Sequence, residues 1–206
     1  MGDVPLFDLS GVEVVPAAVA VLEAVPFEEQ AAASTPVLVF AVRGLPGPQG
    51  SKRHVGNGRM IESSKKVKPW RADVVAAAVE AREAVAGFIK LDGPLRVDMV
   101  FCLDRPKGHM GTGRNAGLVR PSAPLRPHVK PDLSKLVRAT EDALTTAGVY
   151  GDDALIVDFG RVGKWYTSDH GRVPDVLDSP GCLIRLWRVE PVPEQRQEAG
   201  PCDVAA

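Results

Sequence analysis

Apolar and polar positions in the middle of the chain follow two periods, and each change of period marks an element. Residues 37–43 (VLVFAVR) form a β-branched and aromatic run that stops at Gly44-Leu-Pro-Gly-Pro, the pattern of a strand and its turn. From Pro69 to about Lys90, Trp70, Val74, Ala78, Ala81, Val85 and Phe88 recur at helical spacing behind a proline suited to a first turn. Leu95, Val97, Met99, Phe101 and Leu103 then alternate with Arg96, Asp98, Val100 and Cys102, which predicts a strand. Residues 104–127 hold too much Gly and Pro for regular structure. A 24-residue stretch of that kind is uncommon in a compact domain and is often functional.

The clearest element follows. Leu133, Leu136, Val137, Thr140, Leu144 and Ala147 share one helical stripe, with Asp132 where an N-cap belongs and Gly148 where the chain leaves a helix. A helix is expected over 133–147, then strands over 154–162 and 182–189. The order β-α-β-α-β-β predicts an α/β (α+β) domain, a small mixed sheet with two main helices packed on it, and no internal repeat.

Length allows one such domain with tails: the chain has 206 residues. Residues 1–35, cut by prolines at 5, 16 and 26, read as an acidic, disordered arm; 191–206, with three prolines, read as a flexible tail; 36–190 would be the domain. The net charge of −1 hides this division. The arm carries −6 and residues 189–206 carry −3, whereas 36–188 hold 24 basic and 16 acidic side chains, a balance of +8. A basic body between acidic ends points to nucleic acid or another polyanion, and a mixed solvated surface is the plainer alternative. Glu13, Pro16 and Glu23 break the longest apolar stretch, so neither a membrane span nor a signal peptide is expected. Cys102, Cys182 and Cys202 have no metal-ligand spacing. Cys102 and Cys182 lie in apolar runs and read as buried thiols of a reducing cytoplasm.

The candidate chemistry lies around the 133–147 helix. Asp132 stands at its mouth, and Asp152 and Asp153 stand in the turn after it. Carboxylates so placed suit a hard cation, which takes oxygen ligands and leaves positions for water and phosphate. They would cluster only if the following strand runs beside the helix start; alone, Asp132 is a cap and Asp152-Asp153 a solvated turn. Basic residues fall into two groups, eight Lys and Arg over 43–71 opposed only by Glu62, and eight over 105–138 opposed only by Asp132. Either group suits a phosphate backbone, and either is also an ordinary solvated run. The glycines of 108–113 lack the Gly-Lys-Ser/Thr ending of a phosphate loop.

Three blocks together resemble one family: Gly44-Leu-Pro-Gly-Pro-Gln-Gly-Ser-Lys-Arg, Lys130-Pro-Asp-Leu-Ser-Lys-Leu-Val-Arg-Ala-Thr-Glu-Asp-Ala-Leu, and Gly148-Val-Tyr-Gly-Asp-Asp. They are similar to the RusA-like Holliday junction resolvases, over roughly residues 36–190. The resemblance implies a small dimeric endonuclease, cytoplasmic and nucleoid-associated, that binds four-way DNA junctions and nicks two strands symmetrically with Mg²⁺, or Mn²⁺ in its place, and no organic cofactor. It puts metal ligands at Asp132 and Asp153 with Asp152 beside them. Asp158 on the next strand is a further candidate. Arg138 and Lys135 would steady the transition-state charge. Lys52, Arg53, His54, Lys65, Lys66, Lys68, His128, Lys130 and Lys164 would hold the DNA.

Two positions depart from the family pattern. Ser134 stands where a further Asp is usual, and it would ligate weakly or through water; Arg138 stands in place of a Lys. A missing carboxylate about 4 Å from a cation forfeits up to ~4 kcal/mol per unit charge at an effective dielectric near 20. The alternative expectation is therefore a junction-binding protein of the same fold with impaired catalysis. A third is a module whose basic face binds an acidic partner.

Overall fold

The computed structural model describes residues 35–50 and 65–189 in full and the backbone of 52–54 and 60–62. The expected arm up to Ser34, the C-terminal tail and Cys202 lie outside the described residues.

The strands are β1 (Leu38–Arg43), β2 (Lys52–His54), β3 (Met60–Glu62), β4 (Leu95–Leu103), β5 (Ile156–Tyr166) and β6 (Gly181–Arg188); the helices are α1 (Val67–Ala84) and α2 (Leu133–Thr146). Four strands form one sheet in the order β1-β6-β4-β5, while β2 and β3 make a separate antiparallel pair. β4 and β5 run parallel, and the other neighbours in the sheet are antiparallel. This is the expected α+β architecture, a mixed sheet with two helices, with one short strand pair added. Among the described residues no helix is long and apolar enough to cross a membrane.

β4 explains how the layers are held. Its alternate residues Leu95, Val97, Met99 and Phe101 join the main core with Trp70, Val74 and Ala78 of α1 and Leu136, Ala139, Ala143 and Leu144 of α2. Both helices therefore lie on one face of the sheet. Between them the fully buried Trp70 donates its indole N–H to Thr140 Oγ1 at 3.1 Å, and that hydroxyl donates to Leu136 O at 2.9 Å. These two polar side chains of the core thus satisfy one another, as burial demands.

The intervening residues Val100 and Cys102 face the other way, into a second core with Trp165 and Val176. Leu177 N–H donates to Cys102 Sγ at 3.1 Å, and Asp175, at φ 69°, takes bonds from Arg185 and Arg161. Cys102 and Cys182 are buried free thiols, as expected.

Two boundaries differ from the sequence pattern. α1 stops at Ala84 because Val85 turns extended and Gly87 enters the left-handed region at φ 70°; Val85 and Ile89 end up exposed. β5 continues past Val162 to Tyr166 through Gly160 and Gly163. A side chain at Gly160 would collide with Asp98 and Arg96, and the register with β4 shifts there.

Candidate active site

The 44–50 segment joins the starts of the two helices. Gly44 N–H donates to Pro180 O at 3.0 Å as the chain leaves β1. A Cβ at Gly47 would lie 2.1 Å from Lys66 O, so only glycine lets the segment run against the entry to α1. Two residues on, Gln49 N–H donates to Lys135 O at 2.9 Å in the first turn of α2. The turn carrying Lys65 and Lys66, and Lys68 in the first turn of α1, are thereby brought to the side of α2 that holds Lys135 and Arg138. Two basic groups far apart in sequence share one neighbourhood.

A cavity of about 510 Å³ opens there, lined by Gln49, Gly50, Ser134, Lys135 and Arg138. Ser134 and Arg138 stand one helical turn apart, on one face. Gln49 Oε1 is buried without a hydrogen-bond partner among the described residues. Gln49 received no role from the sequence; the signal available was its place in the Gly44-to-Arg53 block. Asp142, one turn on from Arg138, pairs with Arg71 at 3.4 Å, and the charge of Arg138 acts on Glu141.

Asp132 takes the extended N-cap conformation, φ −68° and ψ 133°, yet its side chain makes no capping bond. Its carboxylate instead lies 3.0 Å from Lys135 Nζ. The hydrogen bond and charge of Lys135, reinforced by Lys130 and Lys164, hold the Asp132 carboxyl below its ordinary range. With no side-chain cap, the first N–H groups of α2 stay available to an anion. Lys164 turns its ammonium onto Val129 O and Pro131 O, and burial draws its pKa down while Asp132 opposes that. His128 and Lys130 are exposed on the segment that enters Asp132. Lys52, Arg53 and His54 form β2.

Asp152 and Asp153 occupy different ground. Asp152 Oδ1 accepts from Ala154 N at 2.8 Å and caps the short turn Asp153–Leu155. Burial, then the charges of Asp153 and Asp142, raise the Glu141 carboxyl, with Arg138 opposing. Tyr150, buried and facing Glu141 and Asp153, is raised as well. Asp158 pairs with Arg96 at 3.6 Å.

The strand after α2 meets the helix start with its end rather than its beginning. Ile156 is in register with Leu95 and Lys164 with Phe101, a separation of six β4 residues, about 20 Å at 3.3 Å per residue. Along α2, Glu141 lies nine residues beyond Asp132, roughly 13 Å at 1.5 Å per residue. Ligands of one hard cation stand ~2.0–2.6 Å from it, so two carboxylates sharing it must come within about 5 Å. Along these elements Asp132 stands at the start of α2, and Asp153 stands beside Glu141, toward its other end. Among the described residues, no group of three or more His, Cys, Asp or Glu is placed to hold a metal ion.

The model of the family Endodeoxyribonuclease RusA matches residues 44–174. The chain belongs to the RusA endodeoxyribonuclease family. The match covers the 44–50 segment, both helices and β5. RusA membership makes the chain an endonuclease of a family that resolves Holliday junctions in recombination. Comparison with curated proteins finds no match.

Proposed function

We propose that two copies of the chain cut branched DNA, above all four-way junctions, at phosphodiesters seated in the cavity at the first turn of α2. The observation that carries this reading is the lining of that cavity. Arg138 and Lys135 supply positive charge, Ser134 a hydroxyl, Gln49 an amide and α2 its uncapped N–H groups, all next to a carboxylate held ionised. Such donors stabilise a phosphate whose charge grows during in-line attack. Lys65, Lys66, Lys68, His128 and Lys130, with Lys52, Arg53 and His54, would position the backbones and read little base sequence.

The pair of copies follows from the acids. Asp132 and Asp153 would bind a divalent cation, Mg²⁺ or Mn²⁺, once brought together, with Asp152 and Ser134 alongside. β5 is an edge of the sheet and exposes Val157 at 61% and Phe159 at 46%. Antiparallel pairing of two β5 edges, centred between residues 158 and 159, would set residue 153 of each copy against residue 164 of the other, beside Asp132. A two-fold dimer would then own two complete sites, as symmetric nicking requires. The working domain would be 36–190, between an acidic arm and a tail, acting in the cytoplasm on nucleoid DNA.

A second reading has its own observation. With Ser134 in place of a carboxylate, the cation beside Asp132 is Lys135 at 3.0 Å, which suits a protein that grips junctions without cutting them. Assay of the parent and of Ser134→Asp on a synthetic four-way junction with Mg²⁺ separates the two. Nicking by the parent is expected. Nicking only by Ser134→Asp supports the clamp, and binding without nicking by either overturns the nuclease reading.

A further inference from the structure

The segment that delivers Asp132 ends the long 104–132 connection, which holds two short turns, Lys107–His109 and Gly113–Asn115, and the bridges Met110–Val119 and Gly111–Ala116, but no helix, strand or bridge over 120–132. A connection with so little structure of its own does not fix a carboxylate to the fraction of an ångström that chemistry needs. Four contacts to the end of β5 do so. Lys164 Nζ donates to Val129 O and to Pro131 O, each at 2.8 Å. Arg126 Nε donates back to Lys164 O at 3.1 Å, and the Arg126 guanidinium lies over the Trp165 ring, 4.0 Å from its centroid. Pro127, between them, is buried. The Lys164 stem runs out from an edge strand packed on β4, so the sheet itself is the reference against which the 126–131 segment is held.

We infer that Lys164 is a positioning residue: its ammonium ties the 129–131 backbone to β5 and so places Asp132 at the mouth of the cavity, without touching DNA. An ammonium directed onto two carbonyls has two of its three donors engaged, and its partial burial fits that inward role. The neighbouring Arg126 holds the same segment from outside. The inference rests on Asp132 being the acid of the cleavage centre, and it assigns Lys164 a role other than the phosphate contact expected from its charge.

Lys164→Met and Lys164→Arg test it in the full chain, with a synthetic four-way junction. Arginine keeps the charge, but its planar fork does not reproduce one ammonium between two carbonyls. Both variants are expected to keep the parental salt slope, with a junction affinity within a few-fold of the parent's as His128 and Lys130 loosen. Amide exchange over 127–136 should quicken in both, and nicking at saturating junction should fall roughly 10- to 100-fold, the cost of a displacement near 1 Å. A direct phosphate contact gives the opposite pattern: Lys164→Met loses affinity and about 0.9 of the log–log salt slope, and Lys164→Arg restores both. That result, or unchanged exchange over 127–136, overturns the inference. If the parent binds but does not nick, the nuclease reading fails alone, and affinity, salt slope and exchange still decide the role of Lys164.

Discussion

The two ends of α2 carry acids in opposite circumstances. At its start, Asp132 is exposed, faces Lys135, Lys130 and Lys164, and is held ionised below its ordinary range. About two and a half turns on, Glu141 is half-buried, meets Asp153 and Asp142, and is pushed the other way. The same side-chain chemistry is poised for a cationic ligand at one end and penalised by burial and like charge at the other. Carboxylates raised by their neighbours are relieved by a cation or by distance, so the acidic end is the one that gains most from meeting the basic end of a second copy.

Lys135→Met should break this contrast most strongly. Without the Lys135 hydrogen bond and charge, the Asp132 carboxyl titrates upward toward its ordinary 3.8. Its folded-state value is depressed, so the favourable interaction exists above the unfolded value and is lost as pH falls through the folded one. A carboxyl-resolved NMR titration is expected to show the Asp132 midpoint rising in the variant, and junction binding losing about 0.9 of its salt slope if Lys135 meets a phosphate. An unmoved midpoint would mean that Lys135 does not set the state of Asp132.

Glu141→Gln probes the other end with a smaller effect. Burial first, then Asp153 and Asp142, raise the folded-state value above 4.5, so the native chain holds this proton more tightly than the unfolded chain. Stability from this group therefore falls as pH rises from about 4.5 through the raised value. The amide removes that loss. Its Tm should exceed the parental one by about 1–3 °C at pH 7, the size of a sub-kcal/mol change in a domain of this length, and the gap should close near pH 4. A gap that persists at pH 4 would show that the cause is not ionisation.

Much of this molecule is legible in its sequence, for physical reasons that also mark where legibility ends. α2 announces itself because its stripe, the residue at its mouth and Gly148 at its exit are local and agree. β4 is legible as a strand, but only one of its faces: alternation marks Asp98 as a solvent position, whereas it is 7% exposed, covered from the loop before β6 and bonded by Arg161 N–H, 63 residues away. The β2–β3 pair escapes because three-residue strands show no period. In the candidate site, Asp132 is visible from its place at the mouth of the helix, and Ser134, Lys135 and Arg138 from the resemblance of their block to the family. Gln49 is not, because its contact with Lys135 crosses 86 residues, nor is the inward turn of Lys164. Spacing places Asp153 one helix and one turn after Asp132 but leaves open which end of β5 lies beside α2. The parallel register of β5 with β4 decides that, and it separates the two acids.

The central claim, that each site draws Asp132 from one copy and Asp153 from another, is tested most directly by mixing two inactive variants. Asp132→Asn and Asp153→Asn are each prepared in whichever background nicks, parent or Ser134→Asp, and allowed to exchange subunits in equal amounts. Half of the resulting dimers are mixed, and with shared sites one of the two sites in each mixed dimer holds both acids. Nicking of the four-way junction should then return to about a quarter of the unmutated level, arithmetic that assumes free exchange. A mixture as inactive as either variant alone, in which mass spectrometry finds the mixed dimers present, would contradict the claim.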